Sequence, residues 1–115
     1  MTFKEISTMI KNIGLPYAYY QFPEGTAEAP PFICFYYSND DDLKADNSNY
    51  QKIEHLNIEL YSDEKDYVNE TAVEAALAEA GLVWKRTETY IDTEHFYMVL
   101  YETDVVITSE VINNG

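Results

Sequence analysis

Leu56, Ile58 and Leu60 alternate with Asn57, Glu59 and Tyr61, the period-two pattern of a strand with one buried face. Extended back to Tyr50, the pattern predicts a strand over 50–61. Ser62 and Asp63 follow with side-chain oxygens for the free N–H groups of a helix start, and Glu64 and Asp66 suit its positive end. Val68, Ala72, Ala76 and Ala80 then recur at helical spacing, with Val73 and Leu77 widening the stripe until Gly81 stops it. A helix over 64–80 is predicted, its alanines letting it lie close against a sheet.

The rest of the chain is read the same way. Thr2 and Glu5 form a capping-box pattern, and Phe3, Ile6, Ile10 and Ile13 make an apolar stripe with Met9 beside it. This predicts a helix over 3–13, closed by Gly14 and kept from restarting by Pro16. Strands are predicted over 17–22, 32–37, 82–91 and 96–107, the last two joined by a turn at Asp92–His95. Phe32–Tyr37 is apolar or aromatic at every position, so both its faces are covered, or one is covered by another subunit. Between it and 50–61, Ser38–Asn49 reads as a long polar loop carrying Asp40, Asp41, Asp42 and Asp46. Residues 109–115 read as a frayed, flexible tail.

The resulting order is α-β-β-β-α-β-β, an α+β fold. Two helices suffice to cover one side of a five-stranded mixed or antiparallel sheet, leaving an aromatic-rich second face available for an oligomer. No linker or repeat divides the chain, so 1–108 is expected to be a single domain.

Charge narrows the function. Against 21 acidic residues stand 7 basic ones, a net −14 on 115 residues, which disfavours passive binding to nucleic acid or anionic membranes. The N-terminus has no long apolar run, so no signal peptide or membrane span is expected. Cys34, the lone cysteine, lies among apolar neighbours and reads as a buried small hydrophobe. Without a partner for a disulfide, the chain fits a reducing cytoplasm. Eleven tyrosines serve strands and interfaces alike.

Candidate chemistry is sparse. A calcium loop begun at Asp40 would meet Lys44, Ala45 and Gln51 where an oxygen ligand, glycine and glutamate are needed. His55 and Glu59, four strand positions apart, are separated by roughly 13 Å, too far to share a metal. His95 has no second histidine predicted nearby. The glycines are too scattered for a phosphate loop, no serine sits in a nucleophile elbow, and Cys34 lies mid-strand. The aromatic strands could stack bases, but no Lys or Arg occurs between Lys11 and Lys44 to hold phosphates. The expectation is a non-enzyme without cofactor or metal, whose function lies in surface, charge and assembly.

The sequence resembles small proteins from the tail-assembly region of Gram-positive prophages, similar in organisation to the tail terminator or tail-completion proteins of long-tailed phages. The resemblance is carried by Gly14 to Gly25, with its phrase Tyr20-Gln21-Phe22-Pro23-Glu24-Gly25, by Pro31 to Tyr37, and by Asp46 to Lys52, with Asn49-Tyr50-Gln51-Lys52. It continues through Glu59-Leu60-Tyr61, the Glu70–Gly81 helix and the closing strands, nearly the whole chain. The resemblance implies a structural protein forming a ring, usually of six, that caps the tail tube and joins it to the head. Partners would be the protein itself, the tail tube protein and a head-completion or connector protein. DNA would pass without specific binding, and the location would be the virion tail or neck, or the host cytoplasm during assembly. Phe32, Phe35, Tyr36 and Tyr37 are the candidate subunit interface; Asp40, Asp41, Asp42 and Asp46 are candidates for the lumen or tube mouth. The competing reading is an acidic DNA mimic that blocks a DNA-binding host protein, although the acids are spread along the chain rather than set in duplex-like rows.

Overall fold

A computed structural model describes residues 1–23, 25, 28–44 and 50–108. Helix α1 (Phe3–Ile13) is followed by strands β1 (Tyr17–Tyr19), β2 (Phe32–Lys44) and β3 (Tyr50–Ser62), helix α2 (Tyr67–Glu79), and strands β4 (Trp84–Ile91) and β5 (Phe96–Ile107). The α+β order is the one the hydrophobic pattern predicts. The five strands form one mixed sheet in the order β1-β2-β3-β5-β4, with β1 parallel to β2 and every other pair antiparallel.

Alternation divides the sheet into two faces. Ile33 and Phe35 on β2, Leu56, Ile58 and Leu60 on β3, and Val99, Tyr101 and Val105 on β5 join Ile6 and Ile10 of α1 and Val73 and Leu77 of α2 in one buried core. Both helices therefore lie on the same side. α1 starts at its capping box, where Thr2 Oγ1 accepts from the Glu5 N–H at 3.0 Å and Glu5 Oε1 accepts from the Thr2 N–H at 2.8 Å. It stops at Gly14, whose φ of 94° favours glycine. The Met1 amino group donates to the Val106 carbonyl at 3.0 Å, and the Thr108 N–H to the Met1 carbonyl at 2.8 Å, tying the chain start to the end of β5.

Four sequence expectations are corrected. β1 ends at Tyr19 rather than running to residue 22, because Tyr20 turns to φ 71° and the Gln21 N–H closes onto the Tyr19 carbonyl. α2 begins at Tyr67 with Asp66 as its cap, its Oδ1 accepting from the Asn69 N–H at 3.0 Å. Ser62 stays in the β3–β5 ladder opposite Tyr97, so the helix cannot start there. α2 is also turned about its axis: Val68 is 78% exposed, and the stripe facing the sheet is Glu70, Val73 and Leu77. Ala72, Ala76 and Ala80 instead flank α1 across a groove of about 620 Å³. α2 does end as predicted, in a Schellman closure in which the Leu82 N–H reaches the Leu77 carbonyl and the Gly81 N–H the Ala78 carbonyl.

The fourth correction bears on the candidate site. Asp40, Asp41 and Asp42 do not lie in a loop: β2 continues to Lys44, paired with β3 back to Tyr50. Cross-strand pairing overrides the low strand preference of aspartate. The register shifts between Ser38 and Asp41, where β2 carries one residue more than β3, a bulge of the kind that bends and twists a strand. Since β5 ends at Ile107 opposite Lys52, the last residues of the β2–β3 hairpin run beyond it as a two-stranded arm. Asp46 and the 109–115 tail lie outside the described residues.

The rotation of α2 gives a paired test. Leu77→Ala should lower unfolding free energy by about 2–4 kcal/mol, while Val68→Ala should change it by less than about 0.5 kcal/mol. Urea denaturation measures both; equal losses would mean that the two stripes are buried alike.

Candidate assembly surface

The face away from the helices is where the unassigned chemistry collects. At its lower end Phe32 stacks on Tyr61, ring centroids 4.9 Å apart and planes 19° from parallel. Phe22 and Phe96 meet the Phe32 ring edge-on at 5.3 Å and 6.4 Å. Beside this cluster Tyr20, 63% exposed, lies 5.2 Å from Tyr36. The two are brought together because β1 ends in the turn that swings Tyr20 over β2. This gives a continuous aromatic band on a sheet face that, among the described residues, no helix covers.

Polar groups are set into the band and satisfied there. Tyr61 donates to Glu59 Oε1 at 2.9 Å. Burial, reinforced by the Glu59 charge, pushes the Tyr61 and Tyr36 phenols up, so both stay protonated donors. Cys34 is buried opposite Glu59, and desolvation first, then that carboxylate, raises its thiol to about 11. Higher on the face Asn57, buried, donates to Ser38 Oγ at 2.8 Å.

At the upper end His55 is held between two carboxylates of β5, its Nδ1 2.7 Å from Asp104 Oδ1 and its Nε2 3.2 Å from Glu102 Oε1. Both ring nitrogens can donate only in the imidazolium. The hydrogen bond to Asp104 accordingly raises the His55 pKa, against a smaller opposing effect of desolvation, with Glu102 adding to the rise. The clamp fixes β3 to β5 and, when the ring is protonated, places a positive charge among acids.

The sequence-named residues separate by face. Phe32 and Tyr36 lie on the open face. Phe35 is 4% exposed in the core and Tyr37 lies on the helix side, 5.1 Å from the Phe3 ring, so neither belongs to an exposed interface patch; treating β2 as one apolar block missed its alternation. Burial pushes the Tyr37 phenol up to about 12, and among the described residues its hydroxyl has no hydrogen-bond partner. Asp40, Asp41 and Asp42 are strand positions beside the register shift. His55 and Glu59 share the open face, but the nitrogens of His55 are engaged by Asp104 and Glu102. His95, in the β4–β5 turn, has Tyr90 Oη 3.4 Å from its Nδ1. Among the described residues no group of His, Cys, Asp and Glu is placed to hold a metal, and no helix is long and apolar enough to cross a membrane. Sequence reasoning missed the His55 clamp; its only signal was the β3–β5 register, which sets Asp104 opposite His55.

No protein-family model matches the chain, and no curated protein does. A similar fold occurs in a solved structure described as the virion of a native gene transfer agent (GTA) particle. The chains share 14% identity at a TM-score of 0.52, over 90% of this chain and 88% of that one.

The clamp has a pH signature. His55 should titrate above its ordinary value near 6.5, and Asp104→Asn should lower that midpoint, as read from imidazole NMR shifts. Because the folded pKa is raised, the stability it contributes is complete below the unfolded pKa and is lost as pH rises through the folded one. The stability difference between wild type and His55→Gln should therefore shrink as pH rises from about 6 to above the folded midpoint; a difference that grows would contradict the clamp.

Proposed function

We propose that the chain is a structural protein of a phage or prophage virion, of the tail-terminator or tail-to-head joining kind, that assembles into a ring capping the tail tube. The observation that carries this reading is the one-sided sheet: two helices cover one face, and the other presents an aromatic band of which Phe32 and Tyr36 are part. Such a face suits burial against other subunits. The fold shared with a chain of a virion particle supports the same reading, as does the sequence resemblance to tail-assembly proteins.

Charge fits a conduit. A ring of six copies, each at −14, would repel the DNA it must let pass. The partners in this reading are further copies of the chain, the tail tube protein and the connector below the head. The same net charge is what favours the alternative, an acidic DNA mimic, which would bind a basic host protein as a monomer or dimer and ignore tail tube.

The test is the double variant Phe32→Asp, Tyr36→Asp, leaving Phe35 and Tyr37 intact because they face the helices. It should remain a folded monomer by circular dichroism and lose both ring formation and tube capping in electron micrographs. Capping equal to wild type would remove the open face from the assembly. A wild-type protein that ignores tube but binds a basic DNA-binding protein would favour the mimic.

A further inference from the structure

The helix side carries a groove that the core does not fill. The space between α1 and α2, about 620 Å³, is within the size range of pockets that bury a ligand. Met1, Met9 and Ile13 line one wall, and Ala72, Ala76 and Ala80 the other; all six are half-buried. Small residues alone do not make a seat, but the course of the chain adds a second observation. Thr108, the last described residue, donates its N–H to the Met1 carbonyl at 2.8 Å. The chain therefore leaves β5 at the mouth of the groove. Beyond that point Val111 and Ile112 are the only apolar residues in the run Ser109-Glu110-Val111-Ile112-Asn113-Asn114-Gly115.

We infer that residues 108–111 turn back over the end of β5 and seat Val111 and Ile112 in the α1–α2 groove of the same chain. This seat lies on the helix side, away from the aromatic band, and does not rest on the assembly reading. Direction requires the turn. α1 starts beside the end of β5 and leads to β1, whose Tyr17 is level with Ile33, Leu60 and Val99. It thus runs back against β5, and a segment that follows β5 must reverse to enter the groove. Thr108-Ser109-Glu110-Val111 supplies the four residues of such a reversal, with a serine, a turn former, inside it. α2 runs the other way, from Ser62 opposite Tyr97 towards Trp84 opposite Thr103. Ala76 and Ala80 therefore lie at the Met1 end, where the apolar pair arrives.

Length and pattern agree with this seat. From Ile112 to Gly115 an extended chain covers roughly 13 Å at about 3.3 Å per residue, against about 16 Å for the eleven residues of α1. Adjacent residues of an extended chain point opposite ways. That spoils a sheet face but suits a groove with two walls, one apolar side chain for each. Charge does not select the seat: in the lining Lys4 stands with Glu5 and Glu79, so Glu110 gains no net partner there. The apolar pair must hold the segment. Tethering helps, because a short linker gives an effective concentration in roughly the millimolar range.

Methyl and amide NMR on the full chain test the seat. NOEs are expected from the methyls of Val111 and Ile112 to those of Ala76 and Ala80 and to the Met1 ε-methyl. The amides of both residues should show order parameters near about 0.85, and Val111→Asp with Ile112→Asp should drop them below about 0.6. Glu110→Gln should leave them unchanged. Ala76→Trp, which fills the groove, should release the segment as fully as the aspartates do. Should that variant fail to fold, the double aspartate variant, altered only outside the described fold, carries the test by itself. Order parameters already below about 0.6 in the wild type, or NOEs from the pair to another surface, would overturn the inference. So would NOEs found only between differently labelled copies in a mixture, which would make the groove an interface between copies. Ring formation and tube capping report on the opposite face of the sheet, so their failure leaves the seat in place.

Discussion

Strand alternation sends Ile33, Phe35, Leu56, Ile58, Leu60, Val99 and Tyr101 to one side of the sheet, and the rest of the molecule answers to that division. Both helices must sit on the apolar side, because that is where area can be removed from water at about 25 cal/mol per Å². With α1 and α2 committed there, the other side must keep itself soluble or find a cover. It does the first partly: Glu59, Asn57 and the His55 clamp interrupt its aromatic groups, and every polar group named there has a partner. The aromatic band that remains is the feature of the fold with no internal use.

The helix side has its own exception. Glu70 falls in the buried stripe of α2, with its side chain 7% exposed, and receives Arg86 at 2.6 Å and Lys65 at 2.7 Å. Glu88 closes the network from β4 by pairing with both cations, and Tyr101 donates to Glu74 at 2.9 Å beside it. The Glu70 hydrogen bond leads the causes that raise the Arg86 pKa, and the Lys65 hydrogen bond leads those that lower that of Glu88. A lowered carboxylate contributes stability above its unfolded pKa and loses it as pH falls through the folded value. The pairing of α2 with β4 is thus secure near neutrality and weakens in acid. Such a network contributes geometry more than net stability: it fixes the rotation of α2 that the alanine stripe left ambiguous.

Much of the architecture was legible, and the failures have physical causes. α1 was bounded to the residue because capping box, apolar stripe and terminal glycine all agree. β3 was legible from alternation, since it is central and buried on one face by bulky aliphatics. The rotation of α2 was not, because alanine takes both half-buried and exposed positions at little cost, and a buried Glu70 cannot be told from a surface one without knowing that Arg86 lies beneath it. The outer part of β2 was hidden for a related reason. A run of aspartates argues for a loop on propensity, and only its pairing with β3 makes it strand. On the candidate surface, Phe32 and Tyr36 were separable from Phe35 and Tyr37 by period two alone, a rule that the uniform apolarity of β2 obscured.

A chain at −14 meets a general repulsion from its own copies, so any self-contact must be decided locally. At physiological salt that repulsion is screened beyond about 8 Å, and charges on far sides of two copies hardly interact. What counts is the sign of charge within the contact and the apolar area it removes from water. The aromatic band lacks lysine and arginine, so its burial gains area without leaving a cation unpaired.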